Sequence, residues 1–333
     1  MQLISLVNVD IKESEGDFRM EEFESHSRMA RKAKPFRKTK LFVKLFLAAL
    51  VILTIVSVIQ YRNGYTLTNT TKKSDIPFSG DELDVKNPSN VNVLLLGVDS
   101  RGEEKSRSDT MMLISMNKEK KTIKMVSFMR DIYADIPGYK SYKLNTAYYL
   151  GGVQLAKDTI THMFGVPIQH YALIDFSNFE TIVDIAAPNG VKLDVEKDMS
   201  EKIGVSLKAG EQTLNGKELL GYARFRADNE GDFGRVRRQQ QAIEALKDTV
   251  LKPLAAYRYP KLAGAVKGTV ETDYSTTEEV LHLLQIATKD YDTSKLTIPV
   301  ENSYQFANYS HAGSVLEIDV EQNRQALQDF LQN

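Results

Sequence analysis

The 333-residue chain has room for a tail, an anchor and one large domain, since domains run to about 100–200 residues and α/β units to about 250. Its 43 basic and 44 acidic residues nearly cancel, so the overall charge singles out no class of partner. The absence of cysteine excludes disulfides, thiolate metal sites and a cysteine nucleophile, and it is compatible with an exported domain.

Residues 1–27 are mixed and acidic with little apolar periodicity, which predicts a short flexible tail. Arg28, Arg31, Lys32, Lys34, Arg37, Lys38, Lys40 and Lys44 then follow with no acid among them. Directly after this cluster, Leu41 to Tyr61 reads LFVKLFLAALVILTIVSVIQY, long enough at about 20 residues to cross a bilayer as a helix. A buried core helix would not carry a cationic flank, and a cleaved signal peptide would end in small residues, which Ser57-Val58-Ile59-Gln60-Tyr61-Arg62 does not. The expectation is a cytoplasmic basic tail over 1–40, an uncleaved transmembrane anchor over 41–61, and everything beyond it outside the cytoplasm. The segment 62–90, rich in Asn, Thr, Ser, Lys and Asp, reads as a polar stalk, with the folded domain over 91–333.

Within that domain, Val91 to Leu96, Thr110 to Ile114 and Thr122 to Val126 are short apolar runs bounded by turns and predict strands. Three-and-four spacing predicts helices over Val153 to Phe164, Phe176 to Ile185, Leu214 to Tyr222, Arg235 to Leu251, Thr277 to Thr288 and Val320 to Leu331. Tyr171 to Ile174, Val191 to Val195, Leu296 to Val300 and Val315 to Ile318 predict strands between them. Strands and helices mixed without a repeat imply an α/β fold, a mixed central sheet with helices on both faces.

Charge falls where the strands end. Asp99 leaves one predicted strand and Asp109 enters the next, so both carboxylates can meet at one sheet edge, where hard oxygen ligands suit Mg²⁺ shared with substrate phosphates. Aspartates around a loop are equally at home as turn and capping residues. Arg130-Asp131 follows the third strand and by itself reads as a surface ion pair. Tyr222-Ala223-Arg224-Phe225-Arg226 reads as an extended segment with two arginines on one face, and Asp232-Phe233-Gly234-Arg235 opens a helix whose core face is Val236, Ile243, Leu246 and Val250. Arg235 and Gln239 lie a turn apart on its edge. Cations in a first helical turn oppose the macrodipole, which points to a bound anion. Arginine forks grip phosphate bidentately, so several of them meeting two carboxylates suggest diphosphate chemistry. The five histidines show no metal spacing and Ser100 has no G-x-S-x-G setting.

The ordered motifs L-G-V-D-S-R, R-S-D-T-M-M, M-R-D, K-L-N-T-A-Y-Y-L-G-G, Y-A-R-F-R and G-D-F-G-R-V-R-R-Q-Q, running from about Asn92 to about Leu251, resemble the LytR-CpsA-Psr family of Gram-positive cell-wall enzymes. The resemblance implies a phosphotransferase that moves an anionic glycopolymer, of teichoic-acid or capsular type, from a polyprenyl diphosphate carrier to peptidoglycan. By matching motifs, Asp99 and Asp109 would hold Mg²⁺, and Arg130, Arg224, Arg226 and Arg235 would grip the diphosphate, supported by Asp232 and Gln239. The chain departs from the family at Met129, where proline is usual, and at Ala187-Pro188-Asn189-Gly190, where a glycine pair is usual. An apolar tunnel for the lipid is expected among Phe164, Phe176, Phe179, Ile182, Leu219 and Leu220, and Asp131 or Asp232 is the candidate base. A lipid-diphosphate hydrolase uses the same residues. A non-catalytic receptor or regulator of anionic wall polymer needs the arginines but not the paired aspartates, and contact with nucleic acid is not expected, because the topology puts the arginines outside the cell.

Overall fold

The computed structural model describes residues 37–68, 76–84, 89–99, 107–250, 257–274 and 291–332. Residues 1–36 of the expected tail, the expected helix over Thr277 to Thr288, and Ser100 and Arg101 lie outside these residues, while residues 37–40 of that tail belong to the first helix. The chain divides into two units, residues 1–50 and 51–333. What is described of the first is the beginning of α1 (Arg37–Thr68), a helix whose stretch Leu41–Thr68 is long and apolar enough to cross a membrane. Its Leu45, Phe46, Ile52 and Ile59 are exposed, as suits lipid and not a protein core. Helix α1 runs past Tyr61, where the apolar run ends, to Thr68, whose hydroxyl donates to the Ala265 carbonyl at 3.0 Å. Segment 76–84 of the expected stalk lies on the domain: Asp81 pairs with Lys157 and accepts from the Ile168 amide at 2.8 Å.

In chain order the domain holds β1 (Asn90–Val98), β2 (Ser108–Asn117), β3 (Thr122–Phe128), β4 (Tyr133–Ala134), β5 (Tyr142–Lys143), α2 (Leu144–Phe164), β6 (His170–Asp175) and α3 (Phe176–Ala186). It continues with β7 (Val191–Val195), β8 (Gly210–Leu214), α4 (Gly216–Arg224), α5 (Gly231–Val250), α6 (Tyr259–Thr269), β9 (Glu271–Thr272), β10 (Asp292–Ile298), β11 (Tyr304–Tyr309), β12 (Gly313–Ile318) and α7 (Val320–Gln332). Six strands form a mixed sheet in the order β10-β3-β2-β1-β6-β9, with β1 parallel to β6 and β3 parallel to β10, and with β1–β2, β2–β3 and β6–β9 antiparallel. Helices cover both faces, as the sequence predicts. Leu94, Leu96, Met111, Leu113, Val126 and Phe128 face α2 and α7 through Ile160, Phe164 and Leu327, whereas Met112, Ile123 and Met125 face the other way, toward Ile243 of α5. Because both faces are covered, β1 reads as a continuous apolar run instead of alternating.

Several elements differ from expectation. Helix α2 starts at Leu144, nine residues before the predicted Val153, and breaks at Gly151 and Gly152; Gly152 takes φ +65°, which only glycine adopts without strain. The predicted helix is the second half. Val191–Val195 and Gly313–Ile318 are strands, but each pairs outside the central sheet, β7 with β8 and β12 with β11. Met129, at the family's usual proline, is buried and donates its backbone N–H to the Ile298 carbonyl at 2.9 Å, a bond proline cannot make. The Ala187–Gly190 turn closes by a 2.7 Å bond from the Gly190 amide to the Ala187 carbonyl.

Gly97 sits where β1 meets α3. A Cβ there would lie 2.9 Å from Thr110 Cβ and 3.0 Å from the Phe176 ring, so nothing larger fits without moving Phe176. Gly97→Val is therefore expected to cost about 1–3 kcal/mol. It should appear as a lower urea midpoint with unchanged slope, and an unaltered midpoint would mean that Phe176 moves aside freely.

Candidate functional site

The strand ends of β1, β2 and β3 and the N-terminus of α5 converge on one cleft of about 590 Å³, lined by Asp99, Asp109, Arg130, Phe176, Glu201, Lys202, Arg224, Arg226, Ala227, Arg235 and Gln239. Seven of the residues singled out by sequence thus meet in one place: Asp99, Asp109, Arg130, Arg224, Arg226, Arg235 and Gln239. Glu201 and Lys202 join them from the loop after β7, where the sequence carries no signal beyond charge.

Asp109 reaches the cleft through a bulge. The β1–β2 register passes from Gly97 opposite Thr110 to Val98 opposite Ser108, leaving Asp109 as the extra residue, re-aimed out of the strand's alternation. There it accepts a short hydrogen bond from Arg130, which also contacts Asp232 at 3.2 Å and Asp131 at 3.5 Å. One guanidinium therefore touches three carboxylates. Burial opposes the charge on Arg130, but Asp232, Asp109 and Asp131 outweigh burial and raise its pKa. Asp131 is also held by Lys143 at 2.7 Å, so the Arg130-Asp131 step is part of a network and not a surface pair.

Arg224 is not in an extended segment. A capping box, with Asn215 accepting from the Glu218 amide and Glu218 accepting from the Asn215 amide, both at 3.0 Å, starts α4, which runs through Arg224. The chain then turns at buried Phe225, and this turn, not strand alternation, brings Arg224 and Arg226 to the same cleft. Arg224 donates to Asp99 at 3.0 Å and lies 5.4 Å from the centroid of the Phe176 ring. Arg226 is exposed.

Helix α5 begins at Gly231 and carries the buried Arg235, 3.3 Å from Asp232. Burial and the neighbouring charge of Arg130 lower the Arg235 pKa, only partly offset by Asp232, though a guanidinium stays charged in any protein. Burial works against ionised Asp232, but Arg235 and Arg130 hold its carboxyl below the usual range. Among the described residues the buried Nε of Arg235 has no hydrogen-bond partner, whereas Nε of Arg130 lies 3.5 Å from Asp131 and Oδ1 of Asp232 lies 3.3 Å from Arg235. An N–H group of a buried guanidinium without a partner is a ready donor for a further anionic oxygen. The expected core face of α5 is split: Val236 joins the core under α2, Leu246 packs beside α4, and Ile243 packs on the opposite sheet face.

Arg238, quoted in the motif but given no role by sequence reasoning, is fully buried. It donates to Asp228 at 3.0 Å and twice to the Phe225 carbonyl, at 3.0 and 3.3 Å, clamping the segment that carries Arg226 to α5. Behind the cleft lies an apolar cavity of about 250 Å³ that shares Phe176, Arg224 and Gln239 with it. Of the six residues expected around a tunnel, Phe176, Phe179, Ile182 and Leu220 line this cavity. Phe164 and Leu219 do not: each is fully buried in a core cluster, Phe164 on the opposite side of the sheet.

Among the described residues no group of three or more His, Cys, Asp or Glu could hold a metal ion. Asp99 and Asp109 as a pair fit Mg²⁺ only if substrate oxygens complete the shell, which is how this ion is commonly bound.

The LytR_cpsA_psr family model matches residues 55–327, well beyond the motif-bearing stretch. The regulatory protein MsrR of Staphylococcus aureus (strain COL) is 46% identical over 248 residues, covering 74% of this chain and 76% of MsrR. The polyisoprenyl-teichoic acid–peptidoglycan teichoic acid transferase TagU of Enterococcus faecalis is 34% identical over 216 residues, 63% of this chain and 68% of TagU. Among solved structures, TagV of B. subtilis has a TM-score of 0.61 at 28% identity, covering 73% of this chain and 98% of that one. TagT bound to LI-WTA has 0.60 at 25%, covering 79% and 98%.

Two tests separate clamp from surface and network from single pair. Arg238→Met should cost about 2–3 kcal/mol, because the Phe225 carbonyl loses both its donors and Asp228 keeps only Lys197 and backbone amides. Arg237→Met, at a half-exposed site, should cost at most about 1 kcal/mol, both read by urea denaturation. Because the Asp232 pKa is lowered on folding, its stabilisation is complete above the unfolded carboxyl value of about 3.9 and disappears as pH falls through the lower folded value. Acid titration of stability should accordingly be shallower in Asp232→Asn than in the parent, and equal slopes would remove Asp232 from the network.

Proposed function

The chain belongs to the LytR-CpsA-Psr family, and from that premise we propose that it is a membrane-anchored phosphotransferase moving an anionic glycopolymer from a polyprenyl diphosphate carrier to peptidoglycan. The observation that carries the reading is the join between the arginine-lined cleft and the apolar cavity at Phe176, Arg224 and Gln239. A lipid diphosphate has the same two halves, one charged and one apolar. The names of TagU, a teichoic acid transferase, and of TagT bound to LI-WTA support it.

In this reading Arg130, Arg224, Arg226 and Arg235 hold the diphosphate oxygens, the Nε of Arg235 finding an acceptor there. The cavity beneath Phe176 and Phe179 takes the first part of the lipid and keeps water from it. An acceptor hydroxyl oxygen bonds to the phosphorus next to the polymer, the bond from that phosphorus to the bridging oxygen breaks, and polyprenyl phosphate leaves. The arginines stabilise the charge that grows on the leaving phosphate. Asp99 and Asp109 would hold Mg²⁺, which would neutralise further phosphate charge. Asp232, made weakly basic by Arg235 and Arg130, positions guanidinia, and Asp131 is the proton acceptor. Helix α1 anchors the domain on the outer side, with the cation-rich segment before Leu45 held in the cytoplasm. The second reading, a regulator that binds wall polymer without turnover, is favoured by the name of MsrR.

Arg224→Lys or Arg226→Lys keeps charge but loses the fork, and should weaken binding of a polyprenyl diphosphate by about 1–3 kcal/mol in calorimetry. Asp99→Asn should leave carrier binding intact and cut transfer by orders of magnitude across Mg²⁺ concentrations, each 1.36 kcal/mol lost costing about tenfold. Full turnover in folded Asp99→Asn would remove Asp99 from the transfer step, and a parent protein that binds the carrier but shows no transfer would leave the regulator standing. A reporter fused after Gln332 should be active only if it works outside the membrane; cytoplasmic activity would overturn the topology.

A further inference from the structure

A second concavity, of about 520 Å³, is lined by Tyr133, Ser303, Tyr304, Gln305, Glu317, Ile318 and Asp319. Its walls are the β11–β12 hairpin and β4. In the hairpin register Tyr304 stands opposite Ile318 and Gln305 opposite Glu317. Tyr133 stacks on Tyr309 with centroids 4.6 Å apart, and Tyr304 meets Phe306, 73% exposed, edge to face at 6.0 Å. Gln305 donates to Glu317 at 2.8 Å, and the Tyr309 hydroxyl donates to the other Glu317 oxygen, so the polar groups are fixed in orientation before anything binds. Asp319 Oδ1 accepts from the Gln322 amide at the start of α7.

The chemistry of this lining is the reverse of the cleft's. The cleft carries Arg130, Lys202, Arg224, Arg226 and Arg235, whereas the groove carries two carboxylates and no cation. An anionic polymer is repelled from the groove. What the lining offers is aromatic ring against the C–H face of a pyranose, together with carboxylate, amide and hydroxyl groups that pair with sugar hydroxyls.

The groove is also tied to the reacting groups. Tyr304 stacks on Phe233 at 5.1 Å, and Phe233 follows Asp232 in α5. Tyr133 lies two residues after Asp131, whose carbonyl accepts from the Leu316 amide of β12 at 2.8 Å. Asp131 thus stands in the chain segment between Arg130 and the groove.

We infer that the groove formed by Tyr133, Tyr304, Gln305 and Glu317 binds an uncharged carbohydrate chain and delivers one of its hydroxyls toward Asp131. Binding rests on the groove alone; the delivery rests on the transfer proposed above. The two surfaces then sort the substrates by charge, anionic donor to the arginines and neutral glycan to the carboxylates.

The test is calorimetric titration of the full chain in detergent micelles with chitotetraose, an uncharged chain of four N-acetylglucosamine rings, and separately with undecaprenyl phosphate. Chitotetraose should bind saturably, and Gln305→Ala and Tyr304→Leu should each weaken it about tenfold while undecaprenyl phosphate binding is unchanged. Gln305 is exposed, so its variant keeps the fold even if Tyr304→Leu loosens the packing on Phe233. Arg226→Lys should have the opposite pattern, weakening only the lipid phosphate. No saturable binding of chitotetraose, or binding that survives Gln305→Ala undiminished, would overturn the groove. A parent protein that binds chitotetraose but no undecaprenyl phosphate would instead overturn the carrier reading and leave the groove in place.

Discussion

The guanidinium of Arg130 is the contact on which the rest of the site depends. It reaches Asp109 on β2, Asp131 in its own loop and Asp232 on α5, joining three separate stretches of chain through one planar group. Bringing these charges out of water costs several kcal/mol per ion unless each is matched, so the loop after β3, the bulge in β2 and the first turn of α5 must be in place together. The match is not complete. Burial and the charge of Arg130 lower the Arg235 pKa, and among the described residues its Nε–H has no hydrogen-bond partner, so the cleft in front of it can take a further anionic oxygen.

Helix α5 turns that local constraint into an architecture. Its first turn carries Asp232 and Arg235 into the cleft, Arg238 fastens the preceding segment to its side, and Gln240 donates to Ser127 at 2.9 Å and Leu296 at 3.2 Å, fixing the helix across β3 and β10. Farther along, Ala242, Ile243 and Leu246 form one wall of the apolar cavity. A single rigid element thereby presents charge at one end and hydrocarbon along its flank. The cleft and the cavity keep their relative positions because they share a helix, not because a loop holds them together.

The same helix reaches the groove through Phe233. An apolar ring placed directly after Asp232 stacks on Tyr304, so the hairpin of β11 and β12 is registered against the charged cluster by aromatic packing. The main-chain bond from Leu316 to Asp131 adds a second tie of a different kind.

Periodicity and charge placement make much of this legible in the amino-acid sequence. The alternating or continuous apolar runs locate β1, β2, β3, β6 and β10, the cationic flank marks α1, and the charges at strand ends and around the start of α5 single out Asp99, Asp109, Arg130, Arg224, Arg226, Arg235 and Gln239, all of which line one cleft. These are local signals, written in spacings of two to four residues. What they cannot carry is anything that depends on which strands become neighbours. The bulge that frees Asp109 exists only in the pairing of β1 with β2, and β7 and β12 look like central strands until their partners are known. Phe164 and Phe179 are alike in sequence, yet one fills the core and the other lines the cavity, since the two sides of the sheet are distinguished only by what packs on them. Sequence by itself determined the inventory of charges and the elements that bear them; tertiary structure decided which charges balance and which are left waiting, because burial and pairing belong to contacts between segments that are remote along the chain.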